Sequence, residues 1–303
     1  TARNYFVGAD WVLISSNAGV NFFIGNNPDY EQTVNIRPGQ QWSELVEMPE
    51  RVAGIETASA KSQFFFAQSF AFAQQDPVAF IGLTLRKFHL FWRGDEIRRN
   101  LDLYWARRDS LLLSALLWQG LGLAFPFGLV APLSLFGWFS FWRQPVGRTP
   151  QGRLLALLPL VYMLSVVLFF VTSRYRLPAV PFLLLFAAFG VHSILHSSRR
   201  FRSLGTVAVL GLVCNIGAAP VPAEADTQQQ FWQGYAYQKK GMPSNAMEAY
   251  RGVLRRESDH RGALLALAQA HSRRQEHDAA ARLYESYLLK HPEAGPVQYL
   301  LGT

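Results

Sequence analysis

Residues 154–198 read LLALLPLVYMLSVVLFFVTSRYRLPAVPFLLLFAAFGVHSILHSS, and Arg174 and Arg176 are their only charges. Each uncharged flank, 154–173 and 177–198, is long enough for the ~20 apolar residues with which a helix crosses a bilayer. The same composition continues outward, because residues 111–142 and 203–223 also lack any charged side chain. Four apolar runs punctuated only by arginine predict about four membrane spans over residues 110–223 rather than the core of a soluble domain. The first run is too long for one upright span, and Pro126 and Pro132 predict a break or an interfacial entry. The fourth, over residues 204–219, is the least hydrophobic. It also reads as signal-like, since Arg199, Arg200 and Arg202 precede it and Ala223-Glu224-Ala225 follows.

The 303 residues are 50% hydrophobic, 14% aromatic and 17% charged, with a net charge of +8. An excess of that size invites a nucleic-acid reading until the charges are located. Residues 1–109 hold 11 Lys/Arg and 12 Asp/Glu, residues 224–303 hold 10 and 9, and residues 110–223 hold eight arginines and no acid. The whole excess therefore lies in the apolar third, as in the short loops of a membrane protein, and no nucleic-acid partner is expected. Three parts follow: an N-terminal segment (1–109), a membrane domain (110–223) and a C-terminal domain (224–303). Cys214 is the single cysteine, which excludes a disulfide framework or a Cys-based metal site. His192 and His196 share a helix face without a third ligand, so neither metal nor cofactor is expected. The chain opens on Thr1 with no leader-like pattern and stops inside a repeat, so it reads as a piece of a longer protein.

The loops with Arg143, Arg148 and Arg153 and with Arg199, Arg200 and Arg202 fit the cytoplasmic side. Arg98, Arg99, Arg107 and Arg108 argue the other way, but they belong to a long segment whose acidic residues balance them. The N-terminal segment, the 173–177 loop and the C-terminal domain are then expected outside the cytoplasm. Within that first segment, Trp11-Val12-Leu13-Ile14 is a short apolar run and Asn26-Asn27-Pro28-Asp29 a turn signal. Phe66, Phe70 and Ala73 predict a helix over 59–75, and Asp76-Pro77 an N-cap with a first-turn proline for the next. That next helix carries Ile81, Leu85, Phe88 and Trp92 on one face and Arg86 and Arg93 on another, a pattern suited to a membrane interface.

Arg3-Asn4-Tyr5, the run Asn21-Phe22-Phe23-Ile24-Gly25-Asn26-Asn27-Pro28, then Arg86-Lys87-Phe88 with Phe91-Trp92, and Arg174-Tyr175-Arg176-Leu177-Pro178 before Pro181 follow in order. This series resembles the C-terminal half of bacterial GT-C-type membrane glycosyltransferases of family 39, which includes protein mannosyltransferases and aminoarabinose transferases. The resemblance covers about residues 1–195. It implies a multi-pass protein of the bacterial plasma membrane, a polyprenyl-phosphate-linked sugar donor, and inverting transfer to an extracytoplasmic acceptor. The family's catalytic carboxylate lies on a loop of the N-terminal half that nothing here matches, so no catalytic base is assigned. A departing phosphate calls for positive charge, and guanidinium meets phosphate oxygens bidentately. Arg174 and Arg176 are therefore the expected donor-phosphate ligands, with Asn26, Asn27, Arg86, Lys87 and Glu96 as further donor- or acceptor-side candidates. For Asn26 and Asn27 a plain turn role competes, for Glu96 solvation, and for the two arginines snorkelling at the interface.

Residues 227–303 repeat with a period of 34: Gly234 aligns with Ala268 and Gly302, Tyr237 with His271, Ala246 with Ala280, Tyr250 with Tyr284, Leu254 with Leu288, and Leu267 with Leu301. Gln233 departs from the pattern, and Ser258 and Pro292 end the two repeats. The pattern resembles the tetratricopeptide repeat, in which small residues let two helices cross closely and aromatics fill the groove between them. It implies an α-solenoid, broken off in a third repeat, with a concave surface for a peptide or protein partner. Arg251, Arg255 and Arg256 read as a solvated face. The expected fold is mainly α: a polytopic helical membrane domain with an extracytoplasmic N-terminal segment and a C-terminal solenoid. Two functions stand: the carrier-side half of a membrane glycosyltransferase, inactive alone, or a membrane-anchored repeat scaffold for protein–protein interaction.

Overall fold

The computed structural model describes residues 6, 17–36, 40–97, 103–107, 110–218 and 227–289. Arg3, Asn4, Tyr5, the run 11–14, Arg98, Arg99, Arg108, the link at 223–226 and the third-repeat residues Pro292, Leu301 and Gly302 lie outside them. The chain divides into two compact units, Thr1–Val221 and Pro222–Thr303.

The first unit is mainly helical. Helix α1 (Ala18–Gly25) and a helical turn at Tyr30–Thr33 are followed by α2 (Gln40–Ala53), α3 (Ala58–Gln75) and α4 (Pro77–Trp92). A turn at Leu103–Ala106 and α5 (Leu111–Leu116) lead into a hairpin of β1 (Trp118–Gly120) and β2 (Leu123–Phe125). Then come α6 (Phe127–Trp142), α7 (Pro150–Leu168), a turn at Ser173–Arg176, α8 (Val180–Leu195) and α9 (Arg200–Asn215). Local chemistry sets the boundaries. Asp76 accepts from the Ala79 N–H at 2.9 Å and Pro77 fills the first turn of α4, as the sequence predicts. Thr149 and Pro150 do the same for α7, with the hydroxyl accepting from the Gly152 N–H at 3.1 Å.

The apolar run 111–142 is not one span. Leu121 (φ 53°) and Gly122 (φ 76°) both adopt the left-handed conformation that a two-residue hairpin needs, and Trp118 stacks on Phe125 with ring centroids 5.2 Å apart. Helix formation resumes only at Phe127, so α6 has 16 residues, as does α9. Where about four spans were expected, two stretches among the described residues, Pro150–Leu168 and Ser173–Leu195, are long and apolar enough to cross a membrane.

One core unites the segments on either side of residue 110. Ile24, Phe65, Leu90 and Phe91 pack with Phe127, Met163, Val171, Leu183 and Cys214. Helices α6 and α8 cross backbone to backbone: a Cβ on Gly137 would lie 1.8 Å from the Phe186 carbonyl oxygen, and one on Gly190 2.5 Å from that of Leu133. Such small-residue crossings suit helices that gain nothing from the hydrophobic effect between them. In the most apolar 18-residue window of each long stretch, 33% and 28% of the residues are buried. Leu154, Leu157, Val161, Leu164 and Leu168 of α7 and Leu184, Leu185 and Leu195 of α8 face outward. Helix α4 does likewise, with Val78, Ile81, Leu85 and Phe88 exposed and Lys87 1% exposed. Trp92, expected on the same face as Ile81, Leu85 and Phe88, is instead buried, because the last turn of α4 enters the bundle.

The second unit holds two helix pairs, α10 (Thr227–Lys239) with α11 (Pro243–Arg256) and α12 (Arg261–Arg273) with α13 (His277–Leu288). The repeat positions form its interior. A Cβ on Gly234 would come within 2.7 Å of the Tyr250 ring, so the glycine lets α10 and α11 cross closely. Tyr250 is fully buried and donates to Gln238 Oε1 at 2.8 Å, while Ala268 and Tyr284 fill the equivalent places in the second pair. His271, at the Tyr237 position, meets Glu276 at 2.5 Å and holds that carboxyl below the usual range.

Candidate functional site

Residues distant in sequence meet at two buried cations in the first unit. At one, Lys87 Nζ donates to the Gly25 carbonyl (2.9 Å), Asn26 Oδ1 (2.8 Å) and the Phe169 carbonyl (3.2 Å). Asn26 Nδ2 completes the knot by donating to the Phe22 and Leu168 carbonyls, each at 2.8 Å. Gly25 permits the approach, since a Cβ there would stand 1.6 Å from the Phe169 oxygen. Among the described residues no carboxylate takes part, and desolvation brings the Lys87 pKa down to about 8. Asn27 turns the other way, donating to the Phe23 carbonyl (2.6 Å) and Thr33 Oγ1 (2.9 Å), and so fixes the Asn26–Asp29 turn. Tyr30, beside it, is pushed up to about 12, chiefly by burial.

The second cation is Arg176, 2% exposed. Its guanidinium donates to the carbonyls of Arg93 (2.5 Å) and Asp95 (2.8 Å) and to Ser173 Oγ (3.0 Å). Glu96 Oε2 lies 3.5 Å away and the Phe127 ring centroid 4.1 Å away. Ser173 Oγ in turn accepts from the Ile97 N–H at 2.7 Å, and the Ser173 N–H donates to the Ile97 carbonyl at 3.1 Å. The 173–176 turn is thus riveted to residues 93–97 just beyond α4.

Of the two arginines singled out by sequence, Arg176 points into the protein and Arg174 is exposed beside Tyr175. Arg86 pairs with Glu31 at the surface and lines a groove of about 620 Å³ with Asn27, Asp29 and Asp76. The nearby carboxylates already have partners. Arg93 grips Asp95 through both oxygens at 2.5 and 2.8 Å, and Glu96 faces Arg176. Sequence reasoning passed over Thr33, Asp95, Phe127 and Ser173. Only Asp95 and Ser173 left a signal, as neighbours of Glu96 and Arg174. The His192 and His196 rings lie 4.1 Å apart, and no group of three metal-ligating side chains occurs among the described residues.

In the second unit α10 meets the start of α12. The Phe231 ring of α10 reaches His260 (centroids 5.0 Å apart) and Gly262, where a Cβ would stand 2.9 Å from it. Among known proteins, the tetratricopeptide repeat family model matches residues 237–302, and nothing shows the glycosyltransferase relationship expected for residues 1–195. No curated protein and no solved structure matches the chain. Helix pairs in 34-residue register over the matched residues make the C-terminal unit a tetratricopeptide-repeat region.

Proposed function

We propose that the protein is a docking scaffold held at a membrane, whose repeats seat a polypeptide partner while the first unit anchors them. The observation that carries this reading is the repeat region itself: its in-register Gly234, Tyr250, Ala268 and Tyr284 are spent on the interior, while Trp232 and Tyr235 of α10 and Gln269 of α12 are exposed. The outward leucines of α7 and α8 support the anchor, since water offers that surface nothing and a bilayer does. A photo-crosslinking side chain at Tyr235, compared with one at Arg255, tests the docking. A discrete protein adduct from position 235 and not from position 255 is the expected result, and its absence would overturn the reading.

A second reading makes the first unit the carrier-side half of a membrane glycosyltransferase that uses a polyprenyl-phosphate-linked sugar. It is favoured by the way the residues carrying the family resemblance, Asn26, Lys87, Trp92 and Arg176, converge from separate parts of the chain onto one core. Arg174 is then the residue that meets the donor phosphate, and Arg176 holds its turn in place. The paired state of Glu96 fits a half that lacks the base. In this reading the protein sits in the bacterial plasma membrane with the 173–176 turn outside the cytoplasm. The repeats share that side. Asn215, at the end of α9, grips Ala124 and Gly128 beside Phe127, the ring on which Arg176 stacks. Replacing Arg174 by Gln should weaken binding of a polyprenyl-phosphate sugar to the detergent-solubilised chain, and unchanged affinity would count against it.

A further inference from the structure

Helices α6 to α9 run between the same two ends of the first unit. Phe127, at the start of α6, lies under Arg176, and Phe141, near the end of α6, meets Phe186 and Phe189 of α8 with centroids 5.5 and 5.6 Å apart. These two helices therefore point the same way. Helix α7 runs back, since Ala156 packs with Phe141 and Phe186 while Val171, just beyond its end, belongs to the core around Phe127. Asn215, the last residue of α9, bonds Ala124 and Gly128 on either side of Phe127, which leaves the start of α9 at the far end. The α6–α7 and α8–α9 turns thus share the end away from Arg176. Arg143, Arg148 and Arg153 stand on the first turn and Arg199, Arg200 and Arg202 on the second, all exposed. Residues 110–223 supply no acid, and none of the six pairs with a carboxylate among the described residues. The first turn is a fixed platform: a Cβ on Gly147 would stand 2.3 Å from the Phe141 carbonyl oxygen, and one on Gly152 2.0 Å from that of Val146.

From this arrangement we infer that this end of the bundle binds a phospholipid whose headgroup carries two phosphates, one at each arginine trio. A guanidinium meets phosphate oxygens with two parallel N–H donors, and no competing carboxylate at either turn uses up that capacity. Helices α6 and α8 touch backbone to backbone at Gly137 and Gly190, so the two trios end adjacent helices. Two phosphates on one short linker reach both turns, and a single phosphate reaches one. Exposed Leu154 and Leu157, following Arg153, and exposed Val146 and Phe201 give the acyl chains an apolar bed that a free anion could not use. The inference rests on the membrane-anchor part of the proposed function and names the lipid that the anchor selects.

The test uses the full chain in detergent with cardiolipin (two phosphates), phosphatidylglycerol (one), phosphatidylcholine and inorganic pyrophosphate, read by native mass spectrometry. Compared at equal phosphate, cardiolipin should bind about ten-fold or more tighter than phosphatidylglycerol, and phosphatidylcholine and pyrophosphate should bind more weakly than either. Replacing one trio (R143Q/R148Q/R153Q or R199Q/R200Q/R202Q) should cost about ten-fold in cardiolipin affinity and erase its preference over phosphatidylglycerol. R255Q with R256Q, in the second unit, should change neither, and unaltered circular dichroism shows that the variants fold. Equal binding of cardiolipin and phosphatidylglycerol by the parent chain, a preference kept in either trio variant, or pyrophosphate binding as tight as cardiolipin would overturn the inference. Flotation separates the two failures. A chain that floats with phosphatidylcholine vesicles through a carbonate wash but shows no two-phosphate preference ends this inference and leaves the anchor standing, whereas a chain that does not float ends both.

Discussion

Replacing Arg176 by Met separates a structural rivet from a ligand-facing arginine. Met keeps much of the volume but none of the donors, so the Arg93 and Asp95 carbonyls, now served at 2.5 and 2.8 Å, lose their partner, and Ser173 Oγ loses a donor. Glu96, 19% exposed, loses its counter-charge, and the Phe127 face its cation. Breaking a buried pair by deleting one partner costs ~3–5 kcal/mol, mostly for polar groups left behind rather than for attraction lost. At ~2–4 °C per kcal/mol for a unit of this size, the unfolding midpoint should fall by about 6–20 °C. Arg176→Lys keeps the charge but not the fork and should recover only part of that. Adding Glu96→Gln to Arg176→Met should restore some of the loss, because it removes the stranded charge. The assay is intrinsic-fluorescence unfolding in detergent with Arg174→Gln as control, a change at an exposed side chain that should move the midpoint by little. A midpoint within 2 °C of the parent for Arg176→Met would refute the rivet (by ~2–4 °C per kcal/mol this is under about 1 kcal/mol).

Three further expectations follow from the same geometry. Between pH ~8 and ~10 the first unit should grow more stable, because Lys87 titrates near 8 when folded and near 10.5 when unfolded, so the unfolded chain binds more protons there; Lys87→Met should flatten that rise in denaturant titrations, and Tyr30, at about 12, opposes it only at higher pH. Gly137→Leu should abolish a monodisperse size-exclusion peak in detergent, since no rotamer removes a backbone clash, while Gly205→Leu, with nothing within 4 Å, should preserve it. A reporter active only outside the cytoplasm, fused after Thr303, should be active, and activity confined to a cytoplasmic reporter would show that α9 does not return the chain to the outer side.

What the sequence discloses depends on how local the cause is. Asp76-Pro77 starts a helix through contacts within four residues, and the 34-residue period gathers Gly234, Tyr250, Ala268 and Tyr284 by simple spacing, so these were legible. Counting uncharged runs overstated the long helices, because it passed over Gly120-Leu121-Gly122, where two left-handed residues turn the chain back. In Arg174-Tyr175-Arg176 the two guanidinia leave a helical turn roughly 200° apart. One of them must therefore point inward, but the carbonyls that decide which one come from residues 93 and 95, some eighty positions earlier. Lys87 was hidden for the same reason: on α4 alone it is one more charge beside Arg86, and only Asn26 and Phe169 make it an interior residue.

That dependence also orders assembly. When Lys87 is added to the chain, the Gly25 and Asn26 oxygens already exist, but the Phe169 carbonyl is 82 residues from being made. Until it arrives the ammonium is short of one acceptor, so a chain that ends before residue 169 should leave Lys87 in contact with water. Truncations that stop before residue 169 should leave Lys87 reactive toward amine-directed labels, while longer chains protect it.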